Sequence, residues 1–382
     1  MMKIPFTKIY TSGRELLYMQ DCLVRGDISG SGFYTHKVQE YIQNSFNCRK
    51  ALLTTSGTTA LEMAALLINL QPGDEVIMPS FTFVSTANAV MLRGALPVFI
   101  DIDPLTLNID HSRIRDKINE HTKAIIPVHY AGIACNMEKI MEIAAENNLY
   151  VIEDAAQAVN SSYNGKYLGT IGHIGCYSFH GTKNIVCGEG GAIAINTGEQ
   201  SLLDRADIIW EKGTNRTQFL QGQADKYTWM DLGSSYLPAD ILAAFLYAQL
   251  EEMQLITSKR ESIYQYYCTH LWAYQLQGLI RLPFIPNLVR SNYHLFYLLL
   301  PSLKKRDFVL ETLKEKGIHA TFHYIPLHSS PMGRKLGYKP DDLPVTEKTS
   351  RTLLRLPIYP QMNLDEQRYV VDNLKLILER LN

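Results

Sequence analysis

Short apolar runs alternate with helical patterns from about residue 50 to residue 156. The apolar runs end in small or polar residues, as in KALLTT (50–55), DEVIMPS (74–80) and LYVIEDAA (149–156). Segments between them, such as TALEMAALLINL (59–70), have the apolar spacing of helices. Near-continuous apolar strands separated by helices are typical of a mainly parallel sheet that is covered on both faces. The sequence therefore predicts an α/β fold.

A second, smaller domain is predicted in the last third of the chain. Residues 240–267 contain few glycines or prolines and have regular apolar positions, which indicates one or two long helices. After them, HLFYLLL (294–300), KRDFVLETLKEKGI (305–318) and a final helical stretch indicate a small α+β unit. We expect a large domain over residues 1–255 and a small C-terminal domain over residues 256–382.

Charge and cysteine content argue against several classes of function. The chain has 37 Lys and Arg against 38 Asp and Glu, a formal charge of -1, which gives no general electrostatic reason to expect binding to nucleic acid or an anionic membrane. Its six cysteines are scattered without a C-x-x-C pair, so we expect reduced thiols and no zinc or disulfide framework. No apolar run approaches the ~18–20 residues of a membrane span. We expect a soluble, cytoplasmic protein.

The loops after the predicted strands carry the residues most informative about chemistry, because ligands bind beyond the carboxyl ends of parallel strands. One of them, SGTT (56–59), opens a predicted helix. The amide N–H groups and positive dipole end of such a helix bind phosphate well, and Gly57 lets the backbone approach a ligand. The alternative is that Ser56 or Thr58 only caps the helix.

Two further loops offer an acid and an aromatic surface. In EDAAQ (153–157), Asp154 could pair with a protonated ring nitrogen of a heteroaromatic cofactor, or a carboxylate there could cap the following turn. In PSFTF (79–83), Phe81 and Phe83 would point the same way if the loop is extended. Either ring could cover a planar cofactor, although aromatic residues at such positions are more often core.

One lysine, Lys183, lies between an aromatic-and-hydroxyl cluster and a glycine-rich run in SFHGTKNIVCGEGG (178–191). CYSFH is predicted to be a strand, and GEGG a hairpin turn into GAIAIN. An amine, a phosphate cradle, an aromatic platform and a carboxylate are together what is needed to hold pyridoxal phosphate through a lysine. The glycines would let the loop that carries Lys183 turn tightly beneath the cofactor. We therefore expect a pyridoxal phosphate enzyme.

The motifs SGTTAL, PSFTFVSTAN, PVHYAG, EDAAQ, SFHGTKN and GEGG, as a set, resemble those of the DegT/DnrJ/EryC1/StrS sugar aminotransferases, and the resemblance extends over essentially the whole chain. It implies a fold type I pyridoxal phosphate transferase, aspartate aminotransferase-like, in which Lys183 binds the cofactor covalently and Asp154 pairs with its ring nitrogen. The remaining cofactor contacts that it implies are Ser56, Gly57, Thr58, Phe83 (stacking on the ring), Gln157 (on the ring hydroxyl side) and Ser178.

The resemblance also implies contacts that involve a second subunit and the substrates. Family members usually work as homodimers with the active site at the interface. Many carry asparagine or arginine in the loop that corresponds to GSSYLPAD (233–240), where this chain has Ser235 and Leu237; only Ser235 could donate to the phosphate of the neighbouring subunit. The expected substrate contacts are His180, Asn215, Arg216, His323, Tyr324 and His328.

The reaction implied by the resemblance is transfer of the amino group of L-glutamate to a keto sugar nucleotide. The stretches EKGTNR, DKYTW and GSSYL resemble members that aminate C4 of dTDP-4-dehydro-6-deoxy-D-glucose. Spacing alone does not separate C3 from C4 ketones, and other nucleotides stay open.

Three other classes of function, and a metal site, agree less well with the sequence than an aminotransferase does. A dehydratase of the same family typically has histidine in place of Lys183. A non-catalytic regulator would not need both Asp154 and Lys183. A Rossmann oxidoreductase would need G-x-G-x-x-G, which SGTTAL does not supply. A metal site on His319, Thr321 and His323 lacks ligand spacing, so no metal is expected.

Overall fold

The structure is a computed structural model that describes residues 2–381. Its helices are α1 (Arg14–Arg25), α2 (Phe33–Phe46), α3 (Gly57–Leu67), α4 (Val84–Met91), α5 (Met137–Glu146), α6 (Gln200–Trp210), α7 (Arg216–Leu220), α8 (Asp240–Glu251), α9 (Met253–Leu276), α10 (Leu303–Glu315), α11 (Pro331–Lys335), α12 (Pro344–Thr352) and α13 (Leu364–Leu378). Its strands are β1 (Lys50–Thr54), β2 (Glu75–Pro79), β3 (Leu96–Ile100), β4 (Thr122–Ile125), β5 (Tyr150–Asp154), β6 (Ser162–Tyr163), β7 (Lys166–Tyr167), β8 (Ile174–Ser178), β9 (Gly191–Ile195), β10 (Val289–Arg290), β11 (Phe296–Leu299) and β12 (Leu353–Leu356).

The main sheet has seven strands in the order β1-β9-β8-β5-β4-β2-β3. Strand β9 is antiparallel to both of its neighbours, and the other neighbouring strands are paired in parallel. Because helices cover both faces, the strands read as continuous apolar runs, and every residue of β8 and β9 is buried. The mainly parallel α/β sheet predicted from the sequence is confirmed.

Alternate residues of β9 show how the two faces of the sheet are filled. Ile193 and Ile195 point to the face covered by α3, α4 and α6 and pack with apolar side chains of those helices. Ala192 and Ala194 point to the opposite face, where small side chains leave room for aromatic and aliphatic residues of α2 and α8. This period-2 division is what a strand buried on both sides requires.

A separate apolar core forms around the β11–β12 pair and helices α9, α10 and α13. Helix α9 belongs to both cores, because Met253 and Ile256 pack with the large core whereas side chains from Ile263 onward pack with the C-terminal one. The start of the chain also joins the C-terminal core, since Ile4 pairs with Ile318 in a parallel bridge and is buried there. The domain division at residue 255 stays a prediction, and the change of core lies inside α9.

Among residues 2–381, none of the helices combines the length and the apolar character that a membrane span requires. The cytoplasmic location expected from the sequence stays a prediction.

Candidate active site

Lys183 lies in the connection between β8 and β9. The base of this connection is closed by backbone hydrogen bonds from Phe179 N to Gly190 O and from Gly181 N to Gly188 O, both 2.8 Å. Gly188 has φ +90°, and a side chain on Gly190 would collide with Cys187. Gly188 and Gly190 are therefore required by the conformation of this loop, as the sequence indicated. The antiparallel return is made by this whole connection rather than by a short GEGG turn.

Asp154 ends β5 and faces the same region. Its side chain is 5% exposed, and Oδ2 accepts a 2.8 Å hydrogen bond from Thr86 Oγ1 in α4. Strand β5 pairs with β8, which leads into the Lys183 loop, so the sheet itself brings the acid and the amine together. Burial lowers the pKa of the Lys183 amine to about 8; the negative charge of Asp154 opposes this shift and the positive charge of Arg355 adds to it.

The preceding residue, Glu153, has a different role. It is fully buried on the other side of β5 and accepts backbone N–H bonds from Gly169, Ile171 and Gly172 at 2.6–2.8 Å, together with a 2.8 Å bond to His129 Nε2. Because successive side chains of a strand point to opposite faces, Glu153 has a structural role whereas Asp154 faces the site.

The N-terminus of α3 meets Ser178 at the end of β8. A Cβ added to Gly57 would lie 2.8 Å from Ser178 Cβ, so only glycine permits this approach. Ser56 is the N-cap of the helix, with Oγ accepting from Thr59 N at 3.1 Å. The first N–H groups of α3 have no partner within the helix and carry the positive end of its dipole, which suits them to a phosphate.

Ser56 thus has the capping role that was the alternative for the SGTT loop, because its hydroxyl accepts from Thr59 N at the start of α3. The hydroxyl of Thr58 is hydrogen-bonded to Ser85 Oγ at 2.7 Å. Contact between a phosphate and these residues would come mainly from backbone N–H groups and from Ser178.

Phe81 and Phe83 do not point the same way. Phe81 is 1% exposed and packs edge-on against Tyr130 and Tyr324, whereas Phe83 is 57% exposed at the N-cap of α4. The condition for a shared direction, an extended loop, is not met, because the chain bends between β2 and α4. Of the two rings, only Phe83 has an accessible face with which to cover a planar ligand.

Gln157 joins the loop after β5 to the C-terminal unit. Its Oε1 accepts from Ala131 N and its Nε2 donates to the Tyr324 hydroxyl, each at 2.8 Å. His323 stacks on Tyr324 with ring centroids 3.5 Å apart, and its Nδ1 lies 3.2 Å from the Tyr130 hydroxyl. Burial, with the charges of Arg355 and Lys183, lowers the pKa of His323 to about 2, so this imidazole is neutral.

His328 is not positioned to contact a substrate. It has no exposed surface; Nδ1 lies 2.7 Å from Ser80 Oγ and Nε2 lies 3.3 Å from the carbonyl oxygen of Pro340. The residue instead fastens the loop after β2 to the segment before α12. We therefore correct the expected role of His328 to a structural one.

The other expected substrate and cross-subunit residues lie outside this cluster or already have partners. Asn215 holds the 226–228 segment through Lys226 O and Thr228 N, at 3.0 and 2.8 Å. Arg216 is paired with buried Glu211 at 3.0 Å. His180 is exposed, with Nδ1 2.8 Å from Thr182 Oγ1, and Ser235 is exposed beside Glu211. Their contacts with a substrate or a neighbouring subunit stay predictions.

Three residues near Lys183 were missed by sequence reasoning. Thr86, which binds Asp154, lies inside the noted PSFTFVSTAN motif but reads as an ordinary helix residue. Tyr130 is in the noted HYAG loop. Arg355 interrupts the apolar run LLRLPIY, and a charge inside a predicted strand was the available signal. Among residues 2–381, no group of three or more His, Cys, Asp or Glu side chains is arranged to hold a metal ion.

Residues 11–375 match the DegT/DnrJ/EryC1/StrS aminotransferase family. The chain belongs to this family. GDP-perosamine synthase of Escherichia coli O157:H7 is 32% identical to it over 376 residues, 98% of each chain. Two solved structures are also similar. Spr1654 of Streptococcus pneumoniae in its PLP form has a TM-score of 0.92 at 24% identity, covering 100% of each chain. NtdA of Bacillus subtilis with bound cofactor PMP has a TM-score of 0.88 at 29% sequence identity, and the match covers 99% of this chain and 86% of that chain.

The protein is thus a pyridoxal phosphate-dependent sugar aminotransferase of fold type I, as predicted. The residues present fit this cofactor. The start of α3 and Ser178 offer donors for a phosphate, a buried carboxylate is available for a ring nitrogen, and an amine with a lowered pKa stands beside it for an aldehyde.

The lowered pKa of Lys183 predicts how this sugar aminotransferase takes up its cofactor. Only the neutral amine attacks an aldehyde, so the rate of cofactor attachment is expected to rise with pH and level off above about 8. An ordinary lysine would level off only near ~10.4. The rate at which the visible absorption band appears, measured from pH 6.5 to 9.5, tests this.

Asp154→Asn provides the control for this measurement. Because the negative charge of Asp154 raises the pKa of Lys183, its removal should move the midpoint to lower pH. A midpoint near that of a free lysine, or one that Asp154→Asn moves upward, would contradict the assignment.

Proposed function

We propose that the protein transfers the amino group of L-glutamate to C4 of dTDP-4-dehydro-6-deoxy-D-glucose, giving 2-oxoglutarate and dTDP-4-amino-4,6-dideoxy-D-galactose. The observation that carries the reaction type is the amine of Lys183, whose pKa burial lowers and which lies within electrostatic reach of the buried carboxylate of Asp154. The substrate rests on the resemblance of EKGTNR, DKYTW and GSSYL to dTDP-4-amino-4,6-dideoxygalactose transaminase.

Each group has a proposed role toward the cofactor. Lys183 holds it covalently, the backbone at Gly57 and Thr58 together with Ser178 binds its phosphate, and Asp154 keeps its ring nitrogen protonated. Gln157 lies on the ring hydroxyl side, and the exposed face of Phe83 covers the ring. When bound, pyridoxal phosphate supplies an electron-withdrawing ring that accepts the electron pair left on a substrate carbon.

The chain's own part in the chemistry is proton transfer. Lys183, released when the donor binds, removes the proton from Cα of L-glutamate as a general base, and in the second half-reaction it delivers a proton to C4 of the sugar. An amine with a pKa of about 8 suits both tasks, because it loses and gains a proton readily near neutral pH. Neutral His323, which lies within electrostatic reach of Lys183, and Tyr324, whose ring stacks on it, are proposed to contact the sugar.

A homodimer with the active site at its interface is part of this proposal. Large apolar side chains lie exposed on α1, at Leu16, Leu17 and Val24, and again at Trp229 and Met230. Exposed apolar side chains in such numbers are typical of association surfaces. A second copy packed on them would also bring new side chains to the exposed residue Ser235. Light scattering of the purified protein, which should give twice the mass of one chain, tests this.

A second candidate function differs from the first in the nucleotide of the acceptor sugar. GDP-perosamine synthase is similar to this chain over nearly its full length, so a GDP-linked keto sugar is the competing acceptor. A C3 ketone or a UDP-linked sugar is a further alternative, with no residue of the described site to favour it.

The deciding experiment follows the visible band of the cofactor-loaded protein. L-Glutamate is expected to bleach the band, and dTDP-4-dehydro-6-deoxy-D-glucose to restore it, with a GDP-linked 4-keto-6-deoxy sugar tested in parallel. Bleaching that only the GDP sugar reverses would replace the substrate and keep the reaction. A band that no amino acid bleaches would overturn the proposed transamination.

A further inference from the structure

His294 is a buried titratable residue that the proposed proton transfers do not use. It ends the segment SNYH (291–294), which joins β10 to β11, and it is 7% exposed. Its Nδ1 lies 2.9 Å from Oδ1 of Asn184, which is also buried. Asn184 is the residue directly after Lys183. A buried pair of side chains thus connects the Lys183 loop to a segment that is distant in the sequence.

The hydrogen bonds of Asn184 fix the tautomer of His294. Asn184 Nδ2 lies 2.8 Å from the backbone carbonyl oxygen of Asn292, and a carbonyl oxygen can only accept. Oδ1 therefore faces the imidazole, and Nδ1 must be the donor. Burial, with the positive charge of Lys183, lowers the pKa of His294 well below its usual range, so the ring is neutral. Both ends of the Asn184 amide are hydrogen-bonded.

Asn292 also holds the loop that follows Asp154. Its Nδ2 donates to the backbone carbonyl oxygens of Gln157 and Val159 at 2.9 and 2.8 Å, and its side chain is almost fully buried. The loop after β5, with the acid, and the loop after β8, with the reactive amine, are thereby bonded to the same residue.

The segment that carries Asn292 and His294 is itself firmly held. Arg260 of α9 donates to the carbonyl oxygens of Tyr293 and His294 at 3.0 and 2.6 Å, and Ser161 Oγ accepts from Asn292 N at 2.9 Å. Tyr293 has φ +53°, which is unfavourable for a residue with a large side chain. Such a conformation persists only where the surrounding structure requires it. The segment can therefore serve as a fixed support.

We propose that the bonds to Asn292 and His294 make Asn184 a positioning residue for the reactive amine beside it, an inference that rests on the proposed attachment of the cofactor to that amine. The side chain of Lys183 is long and flexible, so the place of its amine depends on where its backbone is held. Lys183 N donates to His180 O at 2.9 Å, and the fixed amide of Asn184 holds the other side. A reacting group that is misplaced by ~1 Å can lose about 100-fold in rate.

A purely structural role is the alternative, because buried hydrogen bonds also stabilise a fold. A positioning residue affects the amine of Lys183 alone, whereas loss of local structure would also disturb the groups that bind the rest of the cofactor. Pyridoxamine phosphate separates the two. It has the ring and the phosphate but an amine in place of the aldehyde, so its binding needs no bond to Lys183.

Two substitutions of His294 provide the test. The amide nitrogen of asparagine reaches the position of Nδ1 and can donate to Asn184, whereas that of glutamine reaches the position of Nε2. His294→Gln is expected to slow the appearance of the visible band with pyridoxal phosphate about 10- to 100-fold, and His294→Asn to keep most of the rate. The dissociation constant of pyridoxamine phosphate, measured by calorimetry, should be unchanged in both.

Asn184→Ala should slow cofactor attachment as much as His294→Gln does, and the double variant should be no slower, because both changes remove the same interaction. In the cofactor-free protein, hydrogen exchange of residues 179–187 should become faster in each single variant, whereas that of β3 should not change. Asn287→Ala, at an exposed asparagine shortly before β10, is the matched control and should behave like the unmodified protein.

Three results would overturn the inference. They are a normal rate of attachment in Asn184→Ala, equal slowing in His294→Asn and His294→Gln, and a loss of pyridoxamine phosphate affinity as large as the loss of rate. If Asn184→Ala does not fold, the two His294 variants decide alone. Failure of the proposed attachment itself looks different, since the visible band would then persist in Lys183→Ala.

Discussion

Replacing Lys183 by alanine is expected to lower turnover by on the order of 10⁴-fold and to abolish the visible band of the bound cofactor. The amine is needed to hold the cofactor and again to move the proton in each half-reaction, so no neighbouring side chain can substitute for it. The measurement is the absorption spectrum of the variant with added pyridoxal phosphate, followed by single-turnover bleaching with L-glutamate.

The melting temperature of Lys183→Ala distinguishes a catalytic role of Lys183 from a structural one. Lys183 is a cation that burial disfavours and that lies near the unpaired charge of Arg355, so its removal should not lower the melting temperature of the cofactor-free protein. Lys166→Ala, at an exposed position in β7, is the control and should keep both band and turnover. A Lys183→Ala protein that keeps the band would mean that another amine holds the cofactor.

Asp154→Asn and Glu153→Gln change adjacent carboxylates but are expected to differ in effect: the first lowers turnover, and the second lowers stability. Asp154→Asn should lower turnover by about 10² to 10³-fold, since the ring nitrogen loses its anionic partner, with little change in stability. Thr86 can still donate to the remaining carbonyl oxygen. Steady-state rates and thermal unfolding of both variants make the comparison.

Glu153→Gln should instead lower the free energy of unfolding by about 3 kcal/mol or more, because one oxygen that accepts N–H bonds becomes an NH₂ group facing donors. The folded fraction should bind the cofactor normally. If Glu153→Gln stops turnover without a loss of stability, the division of roles between the two sides of β5 is wrong.

The sheet and the central pair of the site were predictable from the sequence because both follow from local patterns. Apolar runs separated by helical spacing dictate a parallel sheet, and parallel strands deliver their carboxyl ends to one edge. Asp154 ends β5 and Lys183 follows β8, so both were expected at the same edge of the sheet; that the two strands are neighbours is seen only in the structure.

The errors arose where a distant partner decides what a side chain does. His328 lies in a motif full of polar and aromatic residues, yet it is buried and hydrogen-bonded to the distant residue Ser80. Phe81 packs edge-on against Tyr130 and Tyr324, which lie far from it in the sequence, so its separation from Phe83 could not be deduced from the five residues of the loop. Arg355 could be noticed as a charge in an apolar run, but its lack of an acid partner is visible only in the folded chain.

The first residues of the chain have a consequence for anyone who shortens or tags the protein. Ile4 is bonded to the strand-like segment at Ile318, Phe6 lies beneath the guanidinium of Arg355, and Ile9 O accepts a 2.7 Å bond from Gln361. Trimming this segment would remove the surface against which Arg355 rests. A fragment that begins at residue 256 would likewise lack a piece of its own interior. The amino terminus is therefore a structural part of the C-terminal unit, and trimming it should lower the stability of that unit before it affects the main sheet.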